Sequence, residues 1–325
     1  MKKALVLFFA FLFVFQAFVV SAQDDVRIED DFNLAYPEGN SDEIFNYLKS
    51  RYVDDNREVR NLGLDFSSSY GDEDFTDTYF DTRNLDLYQR KGGLRYRVRS
   101  DRLDSRAHKE LVQLKLSGDD KLADTGNVDS RNEIKFEMPE GSAGQPSLTR
   151  LTAGQTDELK LHLTTLGVDY SDLRPILTIQ QRRRRVYINR NDATHGLNNA
   201  TFISFSVDDA QSQLWTRSAS FSQMEVELNE MAYTGADDAT RLKMQELQDT
   251  MIRDLKDHFN YLEDDTTIKY TKMFDLLEDR LPFLKWLAGN NLNNEQGMFA
   301  AVGLPLILLG GLVYLVVKGL RPKPL

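Results

Sequence analysis

The chain has no cysteine among its 325 residues, which excludes a disulfide scaffold, a zinc–thiolate centre and acylation on cysteine. Histidine is scarce: His108, His162, His195 and His258 lie far apart, with neither His-x-His nor HExxH spacing, so no histidine-based metal motif is present. The glycine signatures are missing as well. Without a P-loop, a GxGxxG ahead of a helix or a GxSxG elbow, the common nucleotide-binding and serine-hydrolase readings have no support. Basic residues are outnumbered, 40 Lys and Arg against 51 Asp and Glu, for a net charge of −11. So acidic a surface argues against nucleic acid or anionic lipid as the partner of the whole molecule, and any anion site has to be local.

What is present begins with a core: 41% of the residues are hydrophobic and 10% aromatic, enough for a folded unit of this length. The two ends stand apart from it. Residues 1–22 start with Lys2 and Lys3, continue through an apolar run and end in small residues, the layout of a secretory signal peptide. Residues 298–317 contain no charged side chain and are long enough to span a bilayer, with Lys318, Arg321 and Lys323 following in the tail 318–325. The bias of basic residues to the cytoplasmic side then predicts a single-pass type I membrane protein whose main domain is extracytoplasmic, periplasmic in a Gram-negative cell. That domain is expected over 23–271 with no internal repeat, and 272–297 reads as an amphipathic connector carrying Phe283 and Trp286 to the membrane interface.

Helical spacing is present over 42–52, 156–166 and 237–262, with a Gly- and Pro-containing loop over 139–155. Strand-like runs occupy 94–100, 110–117, 131–138, 176–189, 201–208 and 222–229. Several alternate between apolar and charged residues, so that each strand has one dry face and one charged face. Arg95, Arg97 and Arg99 alternate with Leu94, Tyr96 and Val98; Gln113 and Lys115 oppose Val112, Leu114 and Leu116; Glu225 and Glu227 oppose Met224, Val226 and Leu228. A solvated sheet face alternates in the same way, but it usually mixes charges. Here one strand offers three guanidiniums, which phosphate oxygens would neutralise, and another offers two carboxylates at i and i+2, which could share a hard divalent cation. In the run Arg182 to Arg185 only two of the four can share a face, and the sequence does not say which pair.

The stretch YFDTRNLDLYQRKGGLRYRVR, from Tyr79 to Arg99, resembles the CYTH superfamily, the triphosphate tunnel metalloenzymes, and its LDLYQRKGG part is similar to the polyphosphate polymerase domain of that superfamily. The resemblance implies an α+β, mainly β fold: an antiparallel closed tunnel barrel of about eight strands with peripheral helices, to which the sequence adds the C-terminal transmembrane helix. It implies Arg95, Arg97, Lys115, Arg131 and Lys269 as phosphate ligands, to which the strand alternation adds Arg99, with Arg183 and Arg185 as the candidates from the arginine run. It implies Glu133, Glu225 and Glu227 as the catalytic carboxylates, and Glu225, Glu227, Asp208 and Glu29 as holders of Mg²⁺ or Mn²⁺. The family's first strand reads E-x-E-x-K, whereas this chain has Arg27 in place of the first glutamate and Asp31 in place of the lysine. Two readings therefore stand beside each other: a metal-dependent hydrolase of inorganic triphosphate or polyphosphate, and a non-catalytic receptor for polyphosphate or another phosphorylated polyanion in the envelope. A structural envelope protein is a third. An extracytoplasmic domain disfavours polymerase activity, which would draw on cytoplasmic nucleotide, and no nucleic-acid partner is expected.

Overall fold

The computed structural model describes residues 27–63, 65–104, 108–117, 129–138, 145–192, 197–214, 217–229, 233 and 237–280. The expected signal peptide, the apolar segment 298–317, the basic tail and the connector beyond Arg280 lie outside the described residues. Among the described residues no helix is long and apolar enough to cross a membrane.

Nine strands of the described residues make one antiparallel sheet: β1 (Arg27–Tyr36), β2 (Phe66–Asp81), β3 (Gly93–Asp101), β4 (His108–Ser117), β5 (Asp129–Glu137), β6 (Arg174–Asp192), β7 (Leu197–Leu214), β8 (Arg217–Leu228) and β9 (Glu263–Asp264). Their order is β5-β4-β3-β2-β6-β7-β8-β1-β9, and β1 pairs with β5 as well. The two pairings of β1 divide its length: Arg27 to Asp31 face Glu133 to Asp129, and Asp31 to Tyr36 face Glu227 to Ser222. Among the described residues six α-helices flank the sheet: α1 (Ser41–Lys49), continued by a π-turn to Asp54, α2 (Arg57–Leu62), α3 (Asp86–Gln89), α4 (Ala153–Thr165), α5 (Asp238–His258) and α6 (Lys269–Arg280). The fold is thus mainly β with peripheral helices.

Strand alternation decides where the core lies. The apolar faces of β6, β7, β8 and β1, through Val186, Phe205, Met224 and Leu34, pack under α1, α2 and α5, which contribute Ile44, Leu48, Val59, Ile252 and Leu255. The apolar faces of β3, β4 and β5, through Leu94, Tyr96, Val112, Leu114 and Ile134, pack under Leu159 and Leu163 of α4. Helix α4 starts on a capping box in which Thr152 Oγ1 accepts from the Gln155 backbone N–H (3.3 Å) and Gln155 Oε1 accepts from the Thr152 N–H (3.0 Å). With helices covering these apolar faces, the charged faces are left to line a common space.

Two differences from the sequence reading have physical causes. Strand β2 is absent from the strand-like runs because Ser67 to Asp77 is rich in Ser, Gly and acidic residues, which are poor strand formers. Long pairings with β3 and β6 override that propensity, and they set Asp77 opposite Arg97, Glu73 opposite Arg183 and Asp72 opposite Arg184. The second difference concerns the segment from 272. Met273, Phe274 and Leu277 of α6 are buried with Tyr79, Ile179, Ala210 and Phe221, so the helix up to Arg280 is part of the domain core and a boundary at 271 cuts through it.

Candidate anion-binding cavity

The stretch from Tyr79 to Gly93 turns the chain from β2 into β3, and Asp81 holds that turn. Its carboxylate, fully buried, accepts the backbone N–H groups of Thr82 (2.7 Å), Leu87 (2.9 Å) and Tyr88 (2.9 Å) and the Tyr270 hydroxyl (3.0 Å). Leu85 takes a left-handed backbone (φ 58°), a conformation costly for a branched residue that the buried Asp81 bonds maintain. The turn delivers Gly93 and the alternating arginines of β3 to the charged face.

That face encloses a cavity of about 410 Å³ touched by β1 to β6, β8 and the start of α6. Arg95, Arg97, Arg99, Lys109, Lys115, Lys135, Arg183, Arg185 and Lys269 line it, against only Glu137, Glu225 and Glu227 on the acidic side among the described residues. Other carboxylates sit behind the cations. Asp77, 1% exposed, accepts from Arg97 Nε and Nη2 (2.6 Å each) and from Arg95 Nη1 (3.2 Å). Arg95 Nε also donates to Gln113 Oε1 (2.6 Å), and the Arg97 guanidinium lies 4.3 Å from the Phe75 ring centroid. Glu73 accepts from Arg99 Nη2 and lies 3.7 Å from Arg185 Nη1. Glu133, with no exposed surface, is held between Lys115 (3.5 Å) and Lys135. Buried anions therefore anchor cations whose remaining donor capacity faces the cavity, an arrangement suited to a polyanion.

A second group forms where β6, β7, β8 and α6 meet. Arg183 forks onto Asp208 (Nε 2.7 Å, Nη2 2.6 Å) and reaches Glu225, while Lys269 Nζ bridges Asp208 Oδ2 (2.5 Å) and Glu225 Oε1 (2.7 Å). Burial alone would push the Glu225 carboxyl up, but Arg183 and Lys269 hold it well below the usual carboxylate range. Burial and the neighbouring Arg183 push the Lys269 ammonium down. For Asp77, burial is more than offset by Arg97 and Arg95, so its carboxyl sits at about 2.

Among the residues singled out from the sequence, Arg95, Arg97, Arg99, Lys115, Arg183, Arg185, Lys269, Glu225 and Glu227 meet at this one cavity. Arg182 and Arg184 take the other face, where Arg182 pairs with Asp72 (2.7 Å) and Arg184 with Asp42 of α1. Asp208 and Glu133 are fully buried behind the cations rather than on the cavity wall. Glu29 and Arg131 face each other in the β1–β5 register, and their side chains lie outside the described residues. The sequence pattern puts Gln113 and Lys135 on charged strand faces without assigning them a role, and it does not single out Glu73, Asp77 or Lys109. For Glu73 and Asp77 a signal existed, since Glu73, Phe75, Asp77 and Tyr79 alternate like the arginines they face.

A divalent ion such as Mg²⁺ or Mn²⁺ needs several hard oxygen ligands. Among the described residues no group of three or more His, Asp or Glu side chains is arranged to hold a metal. Asp208 has no exposed surface and does not line the cavity, whereas Glu227 and Glu225, the latter paired with the same Arg183 and Lys269 as Asp208, are on the wall. Two carboxylates do not make an all-protein cage, but they fit Mg²⁺ or Mn²⁺ completing its shell with phosphate oxygens and water.

Comparison with known proteins places the same stretch in one family: the model of the CYTH domain matches residues 48–256. No curated protein matches the chain. Among solved structures, the chain is similar to a candidate adenylate cyclase from Bacillus halodurans, with 16% identity, TM-score 0.41, and coverage of 76% of this chain and 98% of that one. It is also similar to a candidate adenylyl cyclase from Hippeastrum described as having a dominant triphosphatase activity (14% identity, TM-score 0.38, 75% and 94% covered). A third is the Mimivirus capping enzyme triphosphatase (13% identity, TM-score 0.33, 70% and 89% covered).

Proposed function

The chain belongs to the CYTH domain family, and we propose that its sheet works as a closed tunnel that binds inorganic triphosphate or polyphosphate and hydrolyses it with a divalent metal. The observation that carries this reading is the cavity wall, where nine cations among the described residues face inward and their partner carboxylates are mostly placed behind them. The β1–β5 pairing supports the tunnel, because it brings the two ends of the eight longer strands together.

In this reading Arg95 and Arg97, held rigid by Asp77, receive oxygens of the phosphate chain, and Arg183, Lys115 and Lys269 neutralise the charge that builds as the anhydride breaks. Glu227 and Glu225 would hold Mg²⁺ or Mn²⁺, which when bound supplies charge neutralisation at the phosphoryl oxygens and polarises a water. The remaining side chains orient the chain of phosphates and exclude bulk water. The proposed location is the extracytoplasmic side of a membrane, supported by the apolar segments 1–22 and 298–317 of the sequence.

A receptor without turnover is the second reading. It is favoured by the ion pairs that already occupy Glu225 and by Arg27 and Asp31 in the first strand. The deciding experiment is phosphate release from tripolyphosphate by the full chain, with Mg²⁺, with Mn²⁺ and with EDTA, beside the double variant Glu225→Gln/Glu227→Gln. Metal-dependent release that falls by roughly a hundredfold or more in the double variant is expected of the enzyme. A folded chain that binds tripolyphosphate but releases no phosphate is a receptor.

A further inference from the structure

Resting on the reading of the cavity as a phosphate site, we propose that Arg183, Asp208, Glu225 and Lys269 form a latch that orders binding. The polyanion enters first, draws Lys269 off Glu225 and takes over the Arg183 Nη2 hydrogen that Glu225 accepts, and only then is that carboxylate open to a divalent ion.

The geometry supplies the reasons. The four side chains come from β6, β7, β8 and α6 and share their atoms closely: Lys269 Nζ touches both carboxylates at 2.5 and 2.7 Å, and Arg183 donates to both. Two anions and two cations cancel. A divalent ion arriving alone would have to reach Glu225 oxygens that already accept from an ammonium and a guanidinium, and it would be repelled by both. Removing either cation from the quartet without a replacement anion would leave a buried charge uncompensated.

A phosphate chain changes this balance. Arg183, Lys269 and Glu225 all line the cavity, whereas Asp208 has no exposed surface and stays behind them. Phosphate oxygens can therefore take Lys269 and the second Nη2 hydrogen of Arg183 from the cavity side, while Nε and the first Nη2 hydrogen keep the fork on Asp208 at 2.7 and 2.6 Å. Glu225 is the member that loses partners. It then stands as an uncompensated carboxylate beside bound phosphate, two residues from Glu227 on the same strand face, and this set of hard oxygens suits a divalent ion. Linkage makes the effect mutual, so each ligand raises the affinity for the other.

Tripolyphosphate chelates metals in solution, so the test keeps the two ligands apart. Calorimetry of tripolyphosphate with the full chain in EDTA is expected to show binding, and a titration followed by the free Mn²⁺ resonance is expected to show no saturable site below about 1 mM without phosphate. Glu225→Gln removes the competitor for Lys269 and Arg183 and is expected to tighten metal-free tripolyphosphate binding roughly tenfold. Lys269→Gln frees carboxylate oxygens and is expected to strengthen binding of Mn²⁺ alone by at least about tenfold. Saturable micromolar Mn²⁺ binding to the unliganded wild type would overturn the latch. So would tripolyphosphate binding that requires metal, a Glu225→Gln variant that binds it more weakly, or a folded Lys269→Gln variant with no gain for Mn²⁺. Failure of tripolyphosphate to bind with or without metal would remove the phosphate reading itself, and the latch with it.

Discussion

Asp77→Asn is the substitution that tests most directly how the cavity is built. The carboxylate is 1% exposed and carries three hydrogen bonds from two guanidiniums, at 2.6, 2.6 and 3.2 Å. Its lowering from 3.8 to about 2 corresponds to roughly 2–3 kcal/mol of preference for the ionised form. Removing one partner of a buried ion pair costs about 3–5 kcal/mol, and asparagine keeps one acceptor, so the lower end of about 3 kcal/mol is the better figure. For a domain of this size that is a fall in Tm of about 6–12 °C at pH 7. The sign of the pH dependence follows from the depressed value: the contribution of Asp77 is fully present above 3.8 and is lost as pH falls through about 2. Thermal melts of the wild type and Asp77→Asn from pH 7 downward should therefore converge as the wild-type carboxyl protonates. Tripolyphosphate should raise the Tm of the variant more than that of the wild type, because the arginines have lost their resident anion. A variant within about 1 kcal/mol of the wild type at pH 7, with the same ligand response, would refute the claim that a buried carboxylate anchors the cavity cations.

The other expectations concern the ligand and the domain boundary. Arg97→Gln should weaken tripolyphosphate binding about 10- to 100-fold by calorimetry, the worth of one or two charge-assisted hydrogen bonds, and the difference should narrow as salt rises. Arg102→Gln, on the exposed pair with Asp74, should leave binding within about twofold and serves as the control. Leu277→Ala in α6, fully buried against the sheet, should cost about 2–5 kcal/mol in denaturant unfolding, and a chain stopped at residue 271 should not give a cooperative transition.

Much of the fold was legible because strand alternation is a local property. The dry and charged faces of β3, β4, β5 and β8 could be assigned from neighbours two residues apart, and the Tyr79 to Arg99 stretch carried the family resemblance. Helices α1, α4 and α5 were recognisable from their spacing, although Leu161 and Leu242, which fit the apolar periodicity, are 64% and 56% exposed. Strand β2 was not legible. Its acidic, serine-rich composition reads as loop until β3 and β6 are placed on either side of it.

The sequence alone determined that the three arginines of β3 would share one face and the two glutamates of β8 another, because a period of two leaves no other arrangement within a strand. It could not determine which charges would meet. Arg97 finds Asp77 twenty residues away, Arg182 finds Asp72 at a separation of 110, and Lys269 reaches Asp208 from a helix that the strand pattern does not contain. Only the tertiary structure chose Arg183 and Arg185 for the cavity and turned Arg182 and Arg184 toward Asp72 and Asp42. The reason is register: shifting one strand by a single residue exchanges its two faces, and register is set by long-range pairing and by burial of the apolar face under α1, α4 and α5.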